Sequence, residues 1–134
     1  MVGLLMVSFS MLMKRLILLG LIGMMLCGFK NEDIEFNKIA SAIFYAEGGL
    51  KASRPYGIFY KGCSWDDPTY CRKICLNTIK NKYTAWLELN KKGPNSDFIS
   101  YLASKYAPLS DSPLNRNWKR NVEWFLNHPK EVVI

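Results

Sequence analysis

Glu47 is the residue of this chain placed to do acid–base chemistry. Through residues 34–49 the apolar side chains recur at helical spacing: Phe36, Ile39, Ala40 and Ile43. The position that continues this stripe is Glu47, a carboxylate where a core helix would carry another aliphatic group. Gly48 and Gly49 follow, and glycine ends helices because it takes the left-handed cap conformation at little cost. The spacing therefore predicts a carboxyl group on the buried face of a helix, in its last turn. Apolar neighbours and the negative end of the helix dipole both disfavour its ionised form. A carboxylic acid held protonated near neutral pH is what a general acid requires. The competing reading is a glutamate frayed into water at a helix end, with ordinary acidity.

The elements that must position Glu47 can be read in order. Residues 55–60, Pro-Tyr-Gly-Ile-Phe-Tyr, are aromatic and β-branched and read as a short strand, closed by Lys61-Gly62. Asp66-Asp67-Pro68 starts a second helix, with Asp67 as cap and proline in the first turn. It runs to about Leu89, with Cys71, Ile74, Cys75, Ile79, Tyr83 and Trp86 on one face. Asn95-Ser96 reads as the cap of a third helix over residues 97–106, packing through Phe98 and Leu102 and stopped by Pro108. In the last helix Leu114, Trp118, Val122 and Phe125 make the inward stripe, and His128-Pro129 ends it. The pattern is mostly α, α+β at the margin: four helices and a short β hairpin after the first.

One hundred and thirty-four residues, 49% hydrophobic, suffice for one domain with a core. Residues 1–28 read as a signal peptide or signal anchor, and residues 29–134 as the domain. Residues 16–29 are an unbroken apolar run of fourteen behind Lys14-Arg15, shorter than the roughly twenty residues a spanning helix needs. Apolar residues precede those two cations as well, which points to a start at Met11 or Met13. Met-Met-Leu-Cys27 resembles a lipoprotein box, although Leu26 stands where a small residue is expected. The expected location is periplasmic or extracellular, with the N-terminal segment as an anchor if it is uncleaved. Residues 1–28 contain Lys14 and Arg15 and no acid, so without them the net charge falls from +7 to +5. That suits an anionic wall or lipid surface; no basic arm or recognition motif points to nucleic acid. In an oxidising compartment Cys63 is expected to bridge to Cys71 or Cys75. A zinc site of three cysteines and His128 matches no standard spacing.

Ala46-Glu47-Gly48-Gly49, then Ser53, then Tyr56-Gly57-Ile58-Phe59 resembles the lysozyme-like superfamily, and more narrowly soluble lytic transglycosylases and goose-type lysozymes. There a glutamate ends a helix and a Gly-Leu-Met-Gln strand about ten residues on lines the cleft; here Gly57 and Ile58 are kept and the glutamine is not. Tyr106-Ala107-Pro108 and Leu114-Asn115-Arg116-Asn117-Trp118 look like a short bacterial and phage-associated branch. The likeness spans about residues 34–126.

The resemblance implies a lysozyme-like helical domain in which Glu47 protonates the β-1,4 bond between N-acetylmuramic acid and N-acetylglucosamine. The substrate's N-acetyl group then stabilises the cationic centre, and the same glutamate activates the 6-hydroxyl to give a 1,6-anhydro product. It implies no cofactor or metal, peptidoglycan glycan strands as partner, and a monomer. Hydrolysis is the alternative outcome; it needs a second carboxylate, for which Asp66 and Asp67 are available but are better explained as a helix start. An inactive wall-binding module and a disulfide-stapled inhibitor are the non-enzymatic alternatives. The expected substrate-binding residues are Ser53, Tyr56, Gly57, Ile58, Tyr60 and Asn117. Tyr56 and Tyr60 share a side of the expected strand and could stack on sugars, as could Trp65; Gly57 is read as letting a sugar approach the backbone. Asn117 and Asn121 lie four apart on one helix face. Trp86 and Trp118 fall on apolar stripes and read as core.

Overall fold

The first helix, α1, covers residues 35–46 of a computed structural model that describes residues 35–90 and 97–134. The signal segment lies outside the described residues, as do Asn95 and Ser96. Phe36, Ile39, Ala40 and Ile43 are buried, as the spacing predicts, and so are Ala42 and Phe44. With apolar contacts on more than one side, α1 is the element the others cover. Two 3₁₀ turns follow, Gly49–Lys51 and Pro55–Gly57. Three helices complete the fold: α2 (Pro68–Asn90), α3 (Phe98–Tyr106) and α4 (Trp118–Asn127), the last entered through a 3₁₀ turn at Pro113–Asn117. None of the helices among the described residues is long and apolar enough to cross a membrane.

The core is one cluster drawn from all four helices, Tyr56 and Cys63. Cys71, Cys75 and Ile79 enter it from α2 at intervals of four, Leu102 from α3, and Trp118 and Val122 from α4. An aromatic group joins three helices at one end: Tyr83 meets Phe36 edge-on at 5.2 Å and Phe98 edge-on at 5.1 Å, and Trp86 lies tilted on Phe98 at 5.7 Å. Burying a large apolar side chain contributes about 1.5–3 kcal/mol, so this cluster and the α1 stripe carry most of the packing energy. Helix starts are set by local chemistry. The Tyr70 amide donates to Asp67 Oδ1 at 2.9 Å, the cap expected for α2. At α3 the cap is Asp97 rather than Asn95-Ser96: its carboxylate accepts from the Ser100 amide at 2.9 Å and the Ser100 hydroxyl at 2.7 Å. Those bonds, the hydroxyl's first, hold Asp97 down at about 2.

Two expectations are corrected. The short β hairpin is absent among the described residues, where the chain is mostly α with no strand. Tyr56 has φ 59° and ψ 14° and Gly57 has φ 65°, so two successive left-handed residues curl the chain where a strand would need it extended. For tyrosine that conformation costs about 1–2 kcal/mol. It is offset by full burial of the ring, a 3.1 Å bond from Arg72 to its hydroxyl, and a 2.6 Å bond from the Tyr106 hydroxyl to its carbonyl. Tertiary contacts override the local preference. The second correction is Leu114, which is 74% exposed. The helix begins only at Trp118, and the tighter 3₁₀ winding before it breaks the 3.6-residue period that would have turned Leu114 inward.

Cys63 pairs with Cys71, with Cα atoms 5.0 Å apart, and Cys75 is the buried free thiol among the described residues. The bond fastens the irregular segment after Gly57 to the first turns of α2. Closing so short a loop stabilises by about 2–3 kcal/mol in the chain-entropy view. Replacing both Cys63 and Cys71 by serine is expected to lower the unfolding free energy by about that amount, as read by urea denaturation. An unchanged midpoint would show that the segment is held without its covalent tie.

Candidate active site

Glu47 closes the last turn of α1: its amide donates to the Ile43 carbonyl at 2.9 Å. Gly48 (φ 108°) and Gly49 (φ 58°) then take the left-handed conformations that turn the chain away, as the Gly-Gly pair predicts. The carboxyl group is half-buried. The Trp118 indole Nε1–H donates to its Oε1 at 2.6 Å, joining the end of α1 to the start of α4 across seventy-one residues. Its other side lies against Gly57. A Cβ at that position would sit 2.5 Å from Glu47 Cδ and 3.0 Å from Cγ, and would collide with Oε2. Only glycine fits there, both for the positive φ and for the space.

Burial raises the pKa of Glu47 above the ordinary carboxylate range, and the indole bond pulls it back in part. Nearby groups stay neutral: burial first, then Cys75, pushes the Tyr106 phenol up, and burial pushes the Cys75 thiol up to about 12. Glu47 is therefore the carboxyl at this place whose protonated form burial favours. No second carboxylate contributes to its shift among the described residues.

Contacts among Trp118, Tyr106, Tyr56 and Arg72 frame the carboxyl. Tyr106, the last residue of α3, stacks on Trp118 with centroids 5.3 Å apart and planes at 27°. Its hydroxyl donates to the Tyr56 carbonyl, so the residue before Gly57 is tied to the residue that backs Trp118. Arg72 of α2 reaches the same turn, one nitrogen on the Tyr56 hydroxyl and another on Asn37 Oδ1 at 2.9 Å. The carboxyl is thus held between α1, α4 and a turn that α2 and α3 lock in place.

The expected site residues separate into two groups. Gly57 is brought to Glu47, but the carboxyl itself fills the space that the sequence reading assigned to a sugar, which corrects that role. Tyr56 is corrected as well: its ring is 0% exposed and cannot offer a face to a pyranose. Ile58 is half-buried against the core, Ser53 is exposed in the loop, and Tyr60 stands in solvent beside Phe59, itself 79% exposed under the Arg54 guanidinium at 5.3 Å. Asn117 precedes Trp118 and its side-chain oxygen accepts from Arg120 at 3.1 Å. Trp65 is half-buried, donating to the Ala52 carbonyl at 2.9 Å with its ring edge on Phe44. Asp66 and Asp67 are spent on the start of α2, Asp66 with Ser64 and Asp67 as cap. The zinc alternative dissolves, because Cys63 and Cys71 are bonded to each other and His128 stacks on Trp124 at 4.3 Å.

Trp118 is buried in the core, as its apolar stripe predicts, and its indole N–H also reaches the Glu47 carboxyl. A signal was present: a buried indole needs an acceptor for its N–H, and a buried glutamate needs a donor. With four tryptophans in the chain, those demands do not by themselves single out Trp118. No family model, no curated protein and no solved structure matches this chain.

Proposed function

We propose that the domain is a glycan-cleaving enzyme that works with a single acid–base carboxylate. More particularly, we read it as a lysozyme-like lytic transglycosylase of peptidoglycan. The observation that carries this reading is Glu47: a half-buried carboxyl at the end of the central helix, raised in pKa by burial, with one indole donor and no second carboxylate at its side among the described residues. Two-carboxylate glycosidases need a second acid about 5–10 Å away as nucleophile or base. A substrate that supplies its own nucleophile dispenses with it, and the N-acetyl group of N-acetylmuramic acid is such a nucleophile.

The steps balance with Glu47 alone. Protonated Glu47 gives its proton to the glycosidic oxygen as the C1–O bond breaks and the N-acetyl oxygen bonds to C1. The resulting carboxylate then takes the proton of the 6-hydroxyl, whose oxygen displaces the N-acetyl oxygen at C1. The 1,6-anhydro ring is closed, the amide is restored and Glu47 is protonated again. The Cys63–Cys71 bond supports an exported setting, and the +5 charge of residues 29–134 supports an anionic wall as partner.

Digestion of purified sacculi is expected to release muropeptides that end in 1,6-anhydro-N-acetylmuramic acid, identified by mass. Reducing ends instead would mean that water takes the place of the 6-hydroxyl. Binding to sacculi without release would make the domain a wall-binding module.

A further inference from the structure

The bond between Trp118 and Glu47 does more than satisfy two buried groups. An indole N–H donates and has no lone pair to return. While the carboxyl is protonated, its carbonyl oxygen is the atom that meets the N–H, since the hydroxyl oxygen is the poorer acceptor. We infer that Trp118, held in place by Tyr106, assigns the transferable proton of Glu47 to Oε2, the oxygen that does not receive the indole bond. Trp118 is then a positioning residue for the proposed reaction, and this inference rests on that reading.

Three observations converge on it. The Trp118–Glu47 distance is 2.6 Å, short for an N–H···O bond. The indole cannot swing away freely: it is 5% exposed and stacked on Tyr106, whose own hydroxyl is committed to the Tyr56 carbonyl. Oε2 lies over the one residue of this turn that has no side chain, so the space beside it is backbone rather than a competing donor.

The groups that face Glu47 leave its protonation readable. Cys75 from α2 and Tyr106 from α3 feel its charge and remain neutral, the thiol up to about 12 and the phenol above its ordinary range. Tyr56 in the turn is raised by burial, and Arg72 donates to its hydroxyl. From α4 the facing group is the indole, which does not titrate.

The test has two arms. In the parent protein, the Trp118 indole N–H resonance in a ¹⁵N-labelled sample is expected to shift with pH as Glu47 ionises, and that shift is expected to vanish in Glu47→Gln. This arm needs no substrate and stands even if sacculi are not cleaved. An indole resonance that does not move with pH in the parent would overturn the inference. In the second arm Trp118→Phe keeps a ring on Tyr106 and removes the N–H. It is expected to lower kcat by about ten- to a hundredfold through a misplaced proton, with KM within about twofold. The alkaline limb of the rate should move to higher pH, because the bond that lowers the pKa is gone. A folded Trp118→Phe with the parent's kcat and the parent's alkaline limb would reduce Trp118 to packing. If that variant fails to fold, the resonance titration of the parent decides alone.

Discussion

Glu47→Gln is expected to fold, to bind murein and to release no 1,6-anhydro muropeptides. The amide keeps the length and shape of the side chain, and its oxygen can still accept from Trp118, so the architecture around it has no reason to change. What is lost is the proton, and with it both halves of the reaction. General acid catalysis alone accounts for about a hundred- to ten-thousandfold in rate, and in the proposed reaction one group serves as acid and then as base. In the parent, cleavage should fall as pH rises through the raised pKa of Glu47, since the first step needs the protonated form. The same shift has a consequence for stability. The folded state holds this proton more tightly than the unfolded chain, so the stability it contributes is full below the ordinary value of 4.5 and is lost as pH rises through the folded value. At neutral pH Glu47→Gln should therefore melt higher than the parent, and the difference should close at pH values below 4.5. A loss of activity together with a gain in stability is the signature of a group kept for chemistry at a cost to the fold. Parental rates on sacculi in this variant would remove Glu47 from the mechanism.

The sequence made the frame of this site legible because the frame is written in local patterns. A period of 3.6 put Phe36, Ile39, Ala40 and Ile43 on one side of α1 and carried Glu47 along with them, and Gly48-Gly49 marked where the helix must end. Asp67-Pro68 marked the start of α2 for an equally local reason, a carboxylate that meets the Tyr70 amide. What was not legible depends on partners far along the chain. Pro55–Tyr60 has strand composition, and nothing within those residues tells that Tyr56 will be drawn into the core by Arg72 and Tyr106 at the expense of a left-handed backbone. Trp118 reads as one more apolar residue on an α4 stripe until its N–H is matched to a carboxyl seventy-one residues away. The choice between Cys71 and Cys75 as partner of Cys63 was open for a similar cause. Both lie on one face of α2, and only the packed position of the segment before it selects the nearer turn.

Gly57→Ala is expected to damage the enzyme through Glu47, not through the sugar. Two costs meet at this position. The φ of 65° disfavours any side chain by about 1–2 kcal/mol. The added methyl also falls 2.5 Å from Glu47 Cδ, closer than atoms can pack, so the carboxyl must move. Moving it stretches the bond to Trp118 and displaces the proton from the place where the glycosidic oxygen is to receive it. A misplacement of about 1 Å costs on the order of a hundredfold in rate, so kcat should fall by at least that much while KM changes little. If Gly57 instead served to admit a sugar ring to the backbone, the pattern would invert: KM would rise and kcat at saturation would survive. Gly57→Val enlarges the clash and should add a loss of thermal stability to the loss of rate. The Trp118 indole resonance gives a third readout, expected to shift in Gly57→Ala because its acceptor has moved. Parental kcat in a folded Gly57→Ala variant would mean that the carboxyl can yield without leaving its working position, and the tight seat described for Glu47 would then have no part in catalysis.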